Sequence, residues 1–201
     1  PISICGIDRE AGALRFVFQV RGQGTAELAE SQPGDELEIL APLGKGFPVD
    51  KAKRTLLIGG GIGVPPLLAC AAELGSMATA CLGFRNGAAV VLEEDFRKTG
   101  AKALVATDDG SYGHHGLVTE LAGEEGFDVV FACGPTPMLK AAKALADKRG
   151  VPCYLSLEER MACGMGACLG CATPLLREDG GVYFGHVCKD GPVFDSRRVV
   201  L

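Results

Sequence analysis

Thr55-Leu56-Leu57-Ile58-Gly59-Gly60-Gly61-Ile62-Gly63-Val64-Pro65-Pro66 is the stretch on which the fold turns. Its first four residues form a short apolar run, as expected of a strand buried on both faces of a parallel sheet. The glycines make a tight loop, and an apolar helix follows from Pro66 to about Leu74. Proline suits a first helical turn because its missing N–H has no intrahelical partner there. A strand, a glycine loop and a helix in succession can bind pyrophosphate, since backbone N–H groups and the helix N-terminus face an anion. The ordinary fingerprint is G-x-G-x-x-G; Gly61 and Gly63 fit it, and Pro66 takes the third glycine's place. The alternative is a tight βα loop with no ligand.

Downstream, strands are expected over 78–82, 103–107, 128–133 and 151–155, with helices over 92–98, 117–122 and 137–149. Strands interleaved with helices mean βαβ units and a doubly wound sheet. Two more strand ends fall on the edge where open α/β sheets bind ligands. Cys133-Gly134-Pro135, with Met138 just beyond, lets a flat ring approach Gly134; taken alone it also reads as a structural turn with a buried thiol. Thr107-Asp108-Asp109-Gly110-Ser111 either holds ribose hydroxyls or is a polar turn and helix cap.

Upstream, a strand is expected over 13–20, a short helix over 26–30 after Gly22-Gln23-Gly24-Thr25, and a strand over 36–40. Pro42-Leu43-Gly44-Lys45-Gly46-Phe47-Pro48 reads as a rigid loop. This first part is β in character and looks like the second half of a small barrel. The chain enters a strand-like run at Ile2 and Ile4 immediately after Pro1, so further sequence is expected upstream. Ser3 and Thr25 could each place a hydroxyl on phosphate oxygens; read alone, they are a strand residue and a helix cap.

From Ser156 onward the alternation stops, and Cys163, Cys168, Cys171 and Cys188 follow with the spacing C-x4-C-x2-C…C. That is the ligand pattern of a plant-type [2Fe-2S] cluster. Gly164, Gly166 and Gly170 give a loop able to wrap a cluster and present N–H donors to its sulfides. Structural zinc ribbons use paired C-x2-C knuckles, and only Cys168 and Cys171 make one here. Glu178-Asp179-Gly180-Gly181, between Leu175-Leu176 and Val182-Tyr183-Phe184, reads as a hairpin turn returning Cys188 to the site. Cys70, Cys81, Cys133 and Cys153 lie in strand-like apolar runs. Nine cysteines so distributed point to a reducing cytoplasm, buried thiols and one metal site rather than disulfides. His114, His115 and His186 read as loop or packing residues, and no acid–base or nucleophilic constellation stands out.

Composition sets the outer limits. With 47% hydrophobic and 22% charged residues in 201, a sizeable core is available. A net charge of -5 without a Lys/Arg-rich run argues against a nucleic-acid partner. No bilayer-length apolar run or signal peptide is visible in the sequence.

The cysteine segment, followed by Val187-Cys188-Lys189-Asp190-Gly191-Pro192-Val193-Phe194, resembles the electron-transfer subunits of class 1B dihydroorotate dehydrogenases. The similarity extends through Pro1-Ile2-Ser3-Ile4, Gly24-Thr25, Leu43-Gly44-Lys45-Gly46-Phe47, the 59–66 loop and Cys133-Gly134-Pro135. The nucleotide motifs are shared by the wide ferredoxin-reductase superfamily; the cysteine segment is far more specific. The resemblance implies a multi-domain β plus α/β chain. Residues 1–50 would be part of a flavin-binding β-barrel, 51–155 a doubly wound NAD-binding α/β domain, and 156–201 a [2Fe-2S] module. It places FAD on Pro1, Ile2, Ser3, Val17, Phe18, Gln19, Gly24 and Thr25, the family's Arg-Pro-x-Ser stretch lacking its arginine here. It places NAD on Gly59, Gly61, Ile62, Gly63, Cys133, Gly134, Pro135 and Met138, and the cluster on Cys163, Cys168, Cys171 and Cys188.

The resemblance further implies a cytoplasmic heterotetramer with an FMN-containing catalytic subunit, acting in pyrimidine biosynthesis without nucleic acid or membrane. Electrons from dihydroorotate would pass from FMN through the cluster and FAD to NAD⁺. Two other assignments stay open on the residues. One is a ferredoxin:NAD(P) oxidoreductase or sulfide-dehydrogenase-type subunit; the other is a nucleotide-binding protein with structural zinc. NAD is expected over NADP because no arginine pair follows the second sheet strand, where Arg85 stands alone.

Overall fold

Leu57 and Ile58 are wholly inaccessible to solvent and Leu56 nearly so, because the strand that carries them has neighbours on both edges and layers on both faces. A computed structural model describes residues 1–123 and 126–201. In chain order it begins with β1 (Ile4–Asp8), β2 (Ala13–Phe16), α1 (Gln23–Ala29), β3 (Thr55–Gly60) and α2 (Pro65–Leu74). Next come β4 (Ala78–Phe84), α3 (Glu93–Lys98), β5 (Lys102–Thr107), β6 (His114–His115), β7 (Val129–Cys133) and α4 (Thr136–Arg149). The last are β8 (Cys153–Ser156), β9 (Ala172–Leu176), β10 (Val182–His186) and β11 (Val193–Asp195).

A seven-stranded sheet runs in the order β11-β8-β7-β3-β4-β5-β6. Its strands are parallel except β11, which pairs antiparallel with β8 at the edge. Successive side chains of β3 go to opposite faces, as the two-residue period of a strand requires. Leu56 and Ile58 join Leu139, Ala142 and Ala146 of α4, while Leu57 joins Leu67, Ala71 and Leu74 of α2 and Phe96 of α3. The sheet is therefore covered on both sides, and the strand–helix alternation expected of a doubly wound fold is present. No helix among the described residues is long and apolar enough to cross a membrane.

Several local expectations need correction. The helix expected over 117–122 is a tighter 3-10 turn, Val118–Ala122. The strand expected over 13–20 ends at Phe16, and the helix expected from residue 26 begins at Gln23. Cys70 lies on α2, not in a strand. Residues 36–40 form no strand: Leu37, Ile39 and Leu40 are exposed, and no described strand lies alongside to take their backbone hydrogen bonds. The first fifty residues thus contain one antiparallel pair, β1 with β2, and one short helix. Cys5 of β1 is fully buried in the same cluster as α2, which seats this pair on the sheet domain.

Phe131 of β7 fastens several parts at once. It is fully buried, stacked on Phe47 with centroids 4.9 Å apart, and edge-on to Tyr154 at 5.9 Å. Removing a ring from such a site costs its transfer free energy and leaves a cavity. Phe131→Ala is expected to lower unfolding free energy by about 3–5 kcal/mol, read from urea unfolding followed by circular dichroism.

Candidate functional site

Three strand ends on the carboxyl edge of the sheet, those of β3, β5 and β7, carry the candidate loops. After β3 the chain makes a turn at Gly61–Gly63 and enters α2, with Pro65 and Pro66 in its first turn. Gly61 has φ +54° and open space beside it, a conformation suited to glycine at a surface that a ligand can approach. Gly63 lies against the neighbouring strand end: a Cβ there would fall 2.2 Å from the Cys133 carbonyl oxygen. Gly60 lies equally close to the loop after β7, where a Cβ would meet Met138 Sδ at 2.7 Å and Pro135 Cδ at 3.0 Å. The structure therefore brings Gly59, Gly61, Ile62, Gly63, Cys133, Gly134, Pro135 and Met138 to one edge. Gly61, Ile62 and Pro135 are exposed, whereas Gly59 and Gly63 are buried.

At the end of β5, the polar residues are largely committed to their own turn. Thr107 Oγ1 donates to the Tyr112 carbonyl at 2.7 Å and accepts the Tyr112 N–H at 3.1 Å. Asp109 accepts the Ser111 N–H at 2.9 Å and its hydroxyl at 2.6 Å, which holds its carboxyl below the usual carboxylate range. The polar-turn alternative has direct support here.

In the first part, Ile4 pairs with Phe16, so Pro1, Ile2 and Ser3 lie toward the same end of the β1–β2 pair as Val17, Phe18 and Gln19. Pro1, Ile2, Ser3, Gln19 and Gly24 are exposed; Val17, Phe18 and Thr25 are half-buried. The Thr25 hydroxyl accepts N–H groups of Arg21 at 2.8 Å and Gly22 at 3.1 Å, and donates to the Gly22 carbonyl at 3.0 Å. It is spent on capping α1.

The C-terminal loop gathers its cysteines in two pairs. The Cys168 N–H donates to Cys163 Sγ at 3.4 Å. That bond, then one from Met165 N–H, and the Cys168 thiol lower the Cys163 thiol to about 6. On the other side, β9 and β10 form the expected hairpin, with Ala172 opposite His186. Its turn is closed by the Arg177 N–H to the Gly181 carbonyl at 2.7 Å. This register, with the Val187 N–H to Cys171 carbonyl bond at 3.1 Å, returns Cys188 to Cys171. Both thiols are buried, and burial raises Cys188 above the ordinary thiol value, helped by its hydrogen bond with Cys171. Among the described residues, no three His, Cys, Asp or Glu side chains are grouped to hold a single metal ion. The histidines stay apart: His114 pairs with Glu120 at 2.8 Å, His115 is exposed, and His186 lies 3.8 Å from Asp190.

Residues 158–200 match the family described as the iron-sulfur cluster binding domain of dihydroorotate dehydrogenase B. Over 209 aligned residues the chain is 47% identical to the "Dihydroorotate dehydrogenase B (NAD(+)), electron transfer subunit" of Geobacillus thermodenitrificans, covering 100% of this chain and 79% of that protein. The chain belongs to this family of electron-transfer subunits. The subunit of the same name from Bacillus caldolyticus is likewise 47% identical, with 100% and 79% covered. A solved NADH-dependent reduced ferredoxin-NADP oxidoreductase matches with a TM-score of 0.85 at 33% identity, covering 100% of this chain and 73% of that one.

Ser156 was missed in the sequence. It ends β8 directly opposite Cys133, and its side chain hydrogen-bonds the Cys133 thiol. Its place at a parallel-strand end next to Cys133-Gly134-Pro135 was the available signal. Burial pushes the thiols of Cys70, Cys81 and Cys153 each up to about 12. A thiol so raised stays protonated well above neutrality, and the thiolate is the nucleophile. Iodoacetamide at about pH 8 is therefore expected to leave these three unmodified in the native protein and to label them after unfolding, as peptide mass mapping would read.

Proposed function

We propose that the chain relays electrons to NAD⁺ as the electron-transfer subunit of an NAD-linked dihydroorotate dehydrogenase, with an FMN-containing catalytic subunit as donor, two copies of each forming the complex. Residues 1–50 are assigned to flavin binding as part of a barrel, 51–155 to NAD binding and 156–201 to the cluster. When bound, the [2Fe-2S] cluster would supply one-electron carriage, and FAD the exchange between single electrons and hydride.

The observation that carries this proposal is the gathering of four thiols at one place, Cys163 bonded to Cys168 and Cys171 to Cys188, with Cys188 also within electrostatic reach of Cys163. A two-iron cluster takes four thiolates spread over two metal atoms. A structural zinc instead asks all four to converge on one ion, usually from paired C-x2-C knuckles, and only Cys168 and Cys171 make such a knuckle here. N–H groups of Met165, Ala167 and Cys168 favour the thiolate at Cys163, and the Gly166 N–H does so at Cys188. The donor set thus suits the group, and the four cysteines are the residues that would hold it.

At the sheet edge, the Gly61–Gly63 turn and the start of α2 would hold the pyrophosphate of NAD. Gly134, Pro135 and Met138 would shape the nicotinamide end beside Cys133. FAD is assigned to Pro1, Ile2 and Ser3, to Val17, Phe18 and Gln19, and to Gly24 and Thr25. The Thr25 contribution would come from the backbone it caps, since its hydroxyl is already bonded.

Cys168→Ser in the full-length complex tests the relay. It is expected to abolish dihydroorotate-to-NAD⁺ transfer while sparing dihydroorotate oxidation by an artificial acceptor at the catalytic subunit. NAD⁺ reduction at the unmutated rate would refute the proposal.

A further inference from the structure

The loop over residues 40–47 touches both other parts of the chain, through its backbone at Gly191–Val193 and through side chains at Gly164 and the sheet. Gly44 has φ +66°, and a Cβ on it would fall 2.1 Å from the Gly191 carbonyl oxygen. The next residue, Lys45, donates its N–H to that same oxygen and accepts the Val193 N–H at 3.4 Å. Lys45 and Pro192 consequently form a parallel bridge. Pro192 is tied in turn to the segment leaving β8, through the Leu157 N–H to its carbonyl at 2.8 Å. Beside this clamp, Leu43 Cδ1 and Leu40 Cδ2 would lie 3.0 and 3.1 Å from a Cβ on Gly164, the residue after Cys163. At the far end of the loop, Phe47 stacks on Phe131 of the sheet.

These contacts fix three bodies at one junction: the chain before residue 50, the sheet, and the cysteine loop. Gly191 is itself packed on Phe194, where a Cβ would sit 2.3 Å from the ring. We propose that Leu43, Gly44 and Lys45 are positioning residues for electron transfer, clamping the flavin-binding part against the cluster-bearing loop so that main-chain bonds set the gap between the two carriers. The inference rests on the proposed assignment of FAD to residues 1–50 and of the cluster to the four cysteines. One-electron transfer falls steeply as the gap between carriers widens, and a functional geometry must be held to within about 0.5 Å by its supporting contacts. Each dihydroorotate oxidised gives up a pair of electrons and a pair of protons. NAD⁺ takes the electron pair with one proton as hydride, and the other proton goes to solvent. The clamp bears only on the passage of those electrons, one at a time, across the junction.

Gly44→Ala in the full-length complex puts a methyl group on the Gly191 carbonyl and strains a positive φ. Iron and flavin content, and NADH oxidation by ferricyanide drawing on the flavin, are expected to stay at the unmutated level. Dihydroorotate-to-NAD⁺ turnover is expected to fall, and amide hydrogen exchange to quicken over 43–46 and 191–193 but not in β3. Leu43→Ala, which relaxes the contact at Gly164 without backbone strain, is expected to give the same split in milder form. The proposal is overturned by full dihydroorotate-to-NAD⁺ turnover in Gly44→Ala, by unchanged exchange at the junction, or by both activities falling in parallel in both variants. Survival of the relay in Cys168→Ser would instead sink the assignment of the cluster, so the two failures are distinguishable.

Discussion

The backbone at Gly63 approaches the Cys133 carbonyl so closely that a Cβ would fall 2.2 Å from its oxygen, and the layout of the ligand-bearing loops depends on that approach. It follows from the parallel pairing of β3 with β7, in which Gly59 faces Cys133. Because the strands run side by side and in one direction, their ends open at one edge. The glycine turn and the loop at Gly134 then sit together backbone to backbone, with the Met138 side chain packed against Gly60 and Gly134. The next strand, β8, places Ser156 beside Cys133 and leads straight toward the cysteine loop. The nucleotide edge and the cluster region are thus joined by a few residues of continuous chain.

The C-terminal segment is not a free appendage. Its last strand, β11, extends the main sheet, and Leu175, Val187, Cys171 and Cys188 share a core with α4 and the strands. Arg177 and Arg198 lie against the Tyr183 ring, at 5.4 and 5.6 Å from its centroid, which steadies the β9–β10 hairpin. A loop rich in glycine would otherwise be entropically costly to order. Anchoring both ends of it on a packed core leaves the N–H groups near Cys163 and Cys188 aimed at the sulfurs.

The central sheet was legible because strands buried on both faces read as apolar runs, and 55–58 is such a run. The β9–β10 hairpin was legible from its turn chemistry at Asp179-Gly180-Gly181. Residues 36–40 misled for a physical reason: Glu36-Leu37-Glu38-Ile39-Leu40 alternates as a strand does, but a strand exists only where another backbone pairs with it. β11 was too short to announce itself, and the 3-10 turn Val118–Ala122 lacks the length that would separate it from a helix. At the site, cysteine spacing marked the four ligands and the hairpin that returns Cys188, since that loop and hairpin are local, but the pairing of Cys163 with Cys168 and of Cys171 with Cys188 came only from the structure. The clamp between Gly44 and Gly191 and the contact of Ser156 with Cys133 are long-range, and no local pattern encodes them.

Iron and acid-labile sulfide analysis of the purified full-length complex, with zinc measured alongside, tests the central claim most directly. The account requires about two iron atoms and about two sulfides for each copy of this chain, and no stoichiometric zinc. Zinc at one per chain, with neither iron nor sulfide, would contradict it.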